Sequence, residues 1–377
     1  MTEPETYRNP DLEVVAGNKS VWTHADNRRR GWHGLHRIAR YTLGLRAARV
    51  VRLEKRMELR LAELDAVRHF TSLPWFSAMV VVQEGRVLYE RYAPDFGPDR
   101  PHSIQSISKT TLHFIIGQLV DAGVLSLSQR VGHYLPEVGT GYRDATLQQV
   151  LNMDVVNEYT EDFTDASATY YQHEEAMGWR LPRDPAHEQT QRAFVARIRS
   201  DDIENRTGLV QYKDANTDVL GWIAERASGR PLRAFLADLV DAAGLEGAFH
   251  VTTDRDGVPA LDGGVCLTAR DLARYMMLFV RRGRGISGER VAGPDFMART
   301  LAAGVPMSVP FDWIRYSNHT MVAGPYIGHG GWGGQYAIAN LDTGRVAVFF
   351  SVIENEHATN RDYLGPVVKM LEAVTAS

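Results

Sequence analysis

Ser106-Ile107-Ser108-Lys109 heads an apolar helical run, Thr110–Ala122, and places a serine and a lysine one helical turn apart on the same side. A serine hydroxyl is a weak nucleophile until a base stands beside it, and a neutral lysine amine can be that base. Such a lysine must lose its proton near neutral pH, which burial and a neighbouring cation are expected to arrange. The helix start adds exposed N–H groups where a developing oxyanion could be received. The plain alternative is a helix cap followed by a surface lysine. Lysine is rare here, at positions 19, 55, 109, 213 and 369, and only Lys109 has a serine three residues before it. Ser-x-x-Lys belongs to enzymes that acylate serine.

Such chemistry also needs a group that carries a proton to the leaving atom and a second oxyanion donor. Tyr212, in Gln211-Tyr212-Lys213-Asp214-Ala215-Asn216, is the candidate for the first. Beside a lysine ammonium its phenol pKa should fall enough to shuttle a proton. His329-Gly330-Gly331-Trp332-Gly333-Gly334 is the second notable stretch. Gly328, Gly330 and Gly333 satisfy G-x-G-x-x-G, but a dinucleotide site needs a helix opening there, and Tyr336–Asn340 reads as a strand. Glycines before a strand instead let a substrate lie against the backbone. The thirteen histidines show no His-x-x-x-His with a third ligand, so no metal or cofactor is expected. No G-x-S-x-G elbow is present either.

The elements that must position these residues read as follows. Residues 1–27 lack periodicity and suggest an extended arm. From Arg28 to Arg60, eleven Arg and Lys stand against Glu54 and Glu58, a net of +9. Trp32, Leu35, Ile38, Ala39 and Leu43 recur there at helical spacing, a stripe that packs on the protein or lies on a membrane surface. A helix is expected over Leu53–Phe70, with apolar residues at 53, 57, 61 and 64 on one side. Ala78–Gln83 and Arg86–Tyr92 form a hairpin at Glu84-Gly85, and the runs around Tyr336–Asn340 and Val346–Ile353 form another at Asp342-Thr343-Gly344. Helices are expected at Thr146–Met153, within Gln211–Arg226, at Thr268–Arg282 and from Asp362 to Ala376. Strands at both ends with helices between them predict an α+β fold. Its antiparallel sheet is built from both chain ends and flanked by helices, with a mostly helical lobe inserted at about 110–262. The expected boundaries are an N-terminal arm with the basic segment, 1–65, and a main domain, 66–377.

Composition narrows the partners. A net charge of −4 argues against nucleic acid as a partner of the whole surface. One cysteine, Cys266, excludes an internal disulfide framework, and no run of eighteen apolar residues could span a membrane. The polar N-terminus does not read as a secretory signal, so the expected location is cytoplasmic. The oligomeric state stays open, a homodimer among the choices.

With Ser106-x-x-Lys109, Tyr212 and His329-Gly-Gly in that order, residues 70–377 resemble the class C β-lactamase and penicillin-binding-protein-like serine hydrolases. Thr146-Leu-Gln-Gln-Val-Leu-Asn-Met153 and Gly263-Gly-Val-Cys-Leu-Thr-Ala-Arg-Asp-Leu-Ala273 look like that family's connecting signatures. Within it the chain looks most like the nylon-oligomer (6-aminohexanoate-dimer) hydrolases and their carboxylesterase relatives, through Tyr212-x-x-x-Asn216, Glu161-Asp-Phe163 and Gly178-Trp179. The resemblance implies a β-lactamase/DD-peptidase-like fold and a metal-free acyl-enzyme mechanism on a small ester or short linear amide. Ser106 would be the nucleophile, Lys109 its base, Tyr212 the proton relay, and the Ser106 and Trp332 N–H groups the oxyanion hole. Substrate contacts would come from Phe163, Glu174, Trp179, Asp262, His329, Gly330 and Gly331. His329-Gly-Gly replaces the lactamase Lys-Thr-Gly, and Tyr-x-x-x-Asn replaces Tyr-x-Asn, both steps away from lactams. Phe163 stands where the nylon-oligomer hydrolases carry a tyrosine hydroxyl that assists amides, which favours esters. The alternatives on the same scaffold are an acyltransferase and a non-catalytic binding protein.

Overall fold

The computed structural model describes residues 5–6, 22–162, 165 and 167–376. A nine-stranded sheet runs in the spatial order Glu54–Lys55, Arg86–Tyr92, Phe76–Gln83, Arg345–Ser351, Gln335–Asn340, Tyr326–Gly331, Thr320–Ala323, Arg315–Ser317 and Val305–Pro306. All its pairings are antiparallel except the two-residue edge strand Glu54–Lys55, which runs parallel to Arg86–Tyr92. Phe76–Gln83 pairs with Arg345–Ser351, so the sheet is closed across its middle by strands from opposite halves of the chain, as the sequence predicts. Both expected hairpins form. Glu84 and Gly85 take φ of 48° and 76°, the left-handed pair that a tight two-residue turn requires.

Every residue of Arg345–Ser351 and Gln335–Asn340 is buried, as in a sheet covered on both faces. The covers are the helices Ala269–Val280 and Arg361–Ala376, which both pack on these strands. Thr268 caps the first by accepting from the Asp271 N–H. Most of the helices lie between Thr110 and Ala243, among them Ala215–Ser228, which stops at Gly229 with φ 68°, a left-handed helix stop. A second, small sheet takes strands from before and after that stretch, in the order Thr42–Leu45, Phe249–Thr252, Val265–Leu267 and His102–Ser103.

Residues 22–65 are woven into this frame. Trp32, Leu35 and Ile38 are buried in the helices Ala25–Trp32 and Leu35–Ile38, so the apolar stripe packs on the protein. Thr42–Leu45 then pairs with Phe249–Thr252. The helix expected over Leu53–Phe70 is instead the edge strand followed by two short helices, Leu59–Glu63 and Asp65–Phe70, broken at Leu64 (ψ 127°). Of the apolar residues at 53, 57, 61 and 64, only Leu61 is fully buried, because no continuous helix brings them onto one face.

Candidate active site

The serine–lysine pair sits in a tight turn, Gln105–Lys109, of 3₁₀ type, in which residues three apart eclipse each other; the helix Thr110–Asp121 follows directly. The turn is held from two sides. On one, His102–Ser103 pairs with Val265–Leu267 and the Ile104 N–H donates to the Val265 carbonyl at 3.0 Å. On the other, Gly331 lies so close that a Cβ there would stand 2.6 Å from the Ile104 carbonyl oxygen. No side chain fits at 331, which is why a glycine strand faces the Ser106 turn. Gln105, just before Ser106, is held in the left-handed region at φ 48°, a strained conformation of the kind that gathers at functional sites.

Lys109 is fully buried. Its Nζ donates to Asp214 Oδ1 at 2.5 Å and the Asp262 carbonyl oxygen at 2.7 Å, and lies 3.0 Å from Ser106 Oγ. Burial pulls its pKa down, but Asp214, then Asp262, Tyr316 and Glu161, outweigh that and leave it above its ordinary value. The expected neighbouring cation is replaced by carboxylates, and the lysine rests as an ammonium. This corrects the expectation that its surroundings would neutralise it.

Tyr212 is delivered by a segment braced against Met153, whose carbonyl accepts from the Gln211 N–H at 2.7 Å. Met153 follows the helix Leu147–Leu151, which opens on a reciprocal Thr146/Gln149 capping box. The Tyr212 ring stacks under Lys109, Nζ 5.0 Å from its centroid. Its hydroxyl is buried, faces Ser106 closely enough to be influenced by it, and has no hydrogen bond of ordinary geometry. Burial, then Asp214 and Glu161, push its pKa well above the usual value, not down as the lysine neighbour alone predicts. Tyr212 is therefore a neutral phenol, able to pass a proton on while receiving another.

Ser106, Trp179, Tyr212, Asp262, Gly330, Gly331 and Trp332 line one cavity of about 360 Å³. One wall is acidic, with Glu161, Asp214 and Asp262. The lining also has an apolar part, with Met307, Phe311, Ile314 and Met321. Both carboxylate oxygens of Asp262 are buried without a hydrogen-bond partner. Burial first, then Asp214, raise Asp262 to about 7 and Glu161 to about 8. Among the described residues no group of His, Cys, Asp or Glu is arranged to hold a metal ion.

Two expected substrate contacts fall elsewhere. His329 is buried behind the glycine strand, its Nδ1 2.5 Å from the Gly330 carbonyl and its Nε2 3.2 Å from the Tyr316 hydroxyl. Burial and then Lys109 lower its pKa to about 3, so it is neutral, and Tyr316 carries its contact forward edge-on to Tyr212 at 5.7 Å. Glu174 is buried in an ion pair with Arg180 and faces a neighbouring cleft rather than the cavity. Burial raises its pKa against the pull of Arg180. Phe163 lies outside the described residues. Sequence reading passed over Asp214 and gave Glu161 no role. The signal for Asp214 was present, since it occupies the third position of Tyr-x-Asn. The reading ran on to Asn216, which instead accepts from the Tyr142 hydroxyl at 2.8 Å and donates to the Val150 carbonyl.

The N-terminal helix also reaches the site. The Trp32 indole N–H donates to the Trp332 carbonyl at 3.1 Å, and the Trp22 indole N–H to the Trp179 carbonyl at 3.2 Å.

Comparison with known proteins agrees with this geometry. A 6-aminohexanoate-dimer hydrolase of Paenarthrobacter ureafaciens is 35% identical over 232 residues, 60% of this chain. The chain spans 57% of the length of that relative. A Bacillus anthracis protein provisionally named a 6-aminohexanoate-dimer hydrolase superimposes with a TM-score of 0.82 at 20% identity, covering 98% of both chains. A family VIII carboxylesterase superimposes with a TM-score of 0.58 at 13% identity, covering 88% of this chain and 100% of that one. At such identities the two structures speak for the fold. Residues 77–365 match the beta-lactamase family along their length, and with its β-lactamase/DD-peptidase-like fold the chain belongs to that family of serine hydrolases.

Proposed function

We propose that this protein hydrolyses small carboxylic esters, and short linear amides such as aminohexanoate oligomers more slowly, through an acyl-enzyme on Ser106. The observation that carries this reading is the buried Lys109 Nζ held 3.0 Å from Ser106 Oγ, which lines the cavity. The apolar part of the lining suits an acyl chain, and Tyr212 stands where the proton must pass to the leaving atom. Ser106 and Trp332 supply the backbone donors for the oxyanion. The name of the Paenarthrobacter relative supports the amide arm of the reading, and the fold shared with a carboxylesterase supports the ester arm.

The experiment is intact-mass analysis with a panel of p-nitrophenyl esters and a fluorophosphonate, read together with turnover. One covalent adduct per chain on the peptide containing residue 106, lost in Ser106→Ala, is the expected result. A labelled peptide that excludes Ser106 overturns the assignment.

A further inference from the structure

Three atoms surround the Lys109 amine, and an ammonium has three protons and no lone pair. With protons directed at Asp214 Oδ1, the Asp262 carbonyl and Ser106 Oγ, the resting lysine has nothing with which to accept the serine proton. A carboxylate and a carbonyl oxygen only accept, so neither Asp214 nor the Asp262 carbonyl can give Nζ a proton in the resting state. Ser106 alone can reverse its direction and donate to Nζ, and it can do so only after Nζ has given a proton away. Among the atoms touching Nζ, Asp214 Oδ1 is the one base able to take it, because the Asp262 contact is a backbone carbonyl.

We propose that Asp214 completes the base: it takes a proton from Lys109, and Lys109 then takes the proton of Ser106. The lysine is thus charged between turnovers and neutral only in passing. The inference rests on the proposed function, since it presumes that Ser106 is the nucleophile. In acylation one Nζ proton moves to the Asp214 carboxylate, and rotation about the terminal C–N bond turns the amine's lone pair from Asp214 to Ser106. The Ser106 Oγ–carbon bond then forms, the carbonyl π pair moves to oxygen and the hydroxyl proton passes to Nζ. On collapse the bond to the leaving oxygen or nitrogen breaks, Lys109 and Tyr212 deliver a proton to it, and Asp214 returns its proton to Lys109.

The surroundings support this assignment. Glu161 and Asp262, the other carboxyls facing the amine, are pushed to about 8 and about 7 by burial and by Asp214, so near neutrality they tend to hold protons of their own. Tyr212 and Tyr316 are held neutral by burial, and His319 and His329 are neutral, each lowered to about 3. Lys213 points away, donating to the Tyr159 carbonyl at 2.7 Å, and Asp218 is paired with His173. An interacting set of this kind titrates as a unit.

Asp214 acts through Lys109, so the test is a pH profile. Asp214→Asn keeps the shape and an accepting oxygen but cannot hold the proton. The p-nitrophenol burst is measured from pH 5 to 10 in the wild-type protein and the variant. The variant should lose about 10²-fold or more at pH 7. Its acid limb should move up toward the amine range, with the rate recovering in alkali, because Lys109 must now release its proton to solvent. A burst lowered by one constant factor at every pH, or unchanged at pH 7, overturns the proposal. Should Asp214→Asn not fold by circular dichroism, Asp214→Ser is read by the same criterion. A wild-type protein that fails to label at Ser106 overturns the proposed function as well, a result distinct from an unmoved limb.

Discussion

The proposed oxyanion loop around Trp332 is braced from outside, and this can be tested at Trp32. Gly331, Gly333 and Gly334 flank Trp332, and the last two sit at φ 88° and 97°, conformations open to glycine and costly for other residues. A segment so rich in glycine has little conformational preference of its own, so its shape must come from its partners. Those are the Ile353 N–H on the Gly333 carbonyl, the Ser351 hydroxyl on the Gly334 carbonyl at 2.8 Å, and the Trp32 indole on the Trp332 carbonyl. The Trp32 ring also packs 5.2 Å from that of Trp332 and cannot move without displacing it. Replacing Trp32 with 3-benzothienylalanine preserves size and stacking and removes only the N–H. An intramolecular hydrogen bond is worth about 0.5–1.5 kcal/mol net. If the loss is felt wholly as poorer placement of the Trp332 N–H in the transition state, kcat falls about two- to thirteenfold while KM hardly changes. Steady-state kinetics on one p-nitrophenyl ester with a thermal melt decides the matter. A lower Tm with kcat intact would show that Trp32 holds the fold and not the oxyanion donor, and the reasoning fails.

Other expectations are briefer. Lys109→Ala and Tyr212→Phe should each cost about 10²–10⁴-fold in kcat/KM, and the double variant should be little worse than the worse single, as for groups that act as one unit; multiplying defects in steady-state assays would contradict this. Burial pulls His173 down, but Asp218, 2.7 Å away, outweighs it and raises the ring to about 9, above its ordinary 6.5. A raised cation stabilises fully below about 6.5 and loses that contribution as pH climbs through about 9. His173→Gln should therefore flatten the fall in Tm between pH 6.5 and 9.5, and an unchanged slope would count against the ion pair. Phe163→Tyr should raise kcat/KM for a linear amide by roughly 5- to 150-fold, the worth of a hydrogen bond of about 1–3 kcal/mol made in the transition state, and leave a matched ester within about twofold. Equal changes in both would mean that position 163 shapes the cleft only.

The sheet and its hairpins were legible because β-rich runs and the turn Glu84-Gly85 are local signals, and the closure of the two ends followed from them. The Ser106 turn was legible for the same reason, since its spacing is its geometry. The state of Lys109 was not. Its charge is fixed by Asp214, 105 positions along the chain, and by Glu161 and Asp262, whose convergence is a property of packing. The misplacement of His329 and Glu174 has the same root. Motif position assigns a residue to a neighbourhood, but Tyr316 and Arg180, which decide which way each side chain faces, lie outside the motifs.

The segment before residue 66 shows how far that limit extends. Its sequence reads as a stripe that packs on the protein or lies on a membrane surface, and eleven cations in 33 residues dominate any local average. The structure uses them one by one. Arg28 is almost fully buried and donates to the carbonyls of Thr23, Ile353, Asn355 and Glu356, with its guanidinium over the rings of Trp32 and Trp332. Burial lowers its pKa to about 10 without neutralising it. A guanidinium that satisfies four carbonyls and stacks on two indoles ties the N-terminal helix to the loop after the last strand and to the oxyanion turn at once. Removing that one cation would leave four carbonyls short of a donor, two of them, Ile353 and Asn355, both bound by a single Arg28 nitrogen. Its value lies in geometry and not in charge count. That is why the basic composition of this segment, taken alone, points toward a surface, while Arg28 is spent on holding the turn at Trp332.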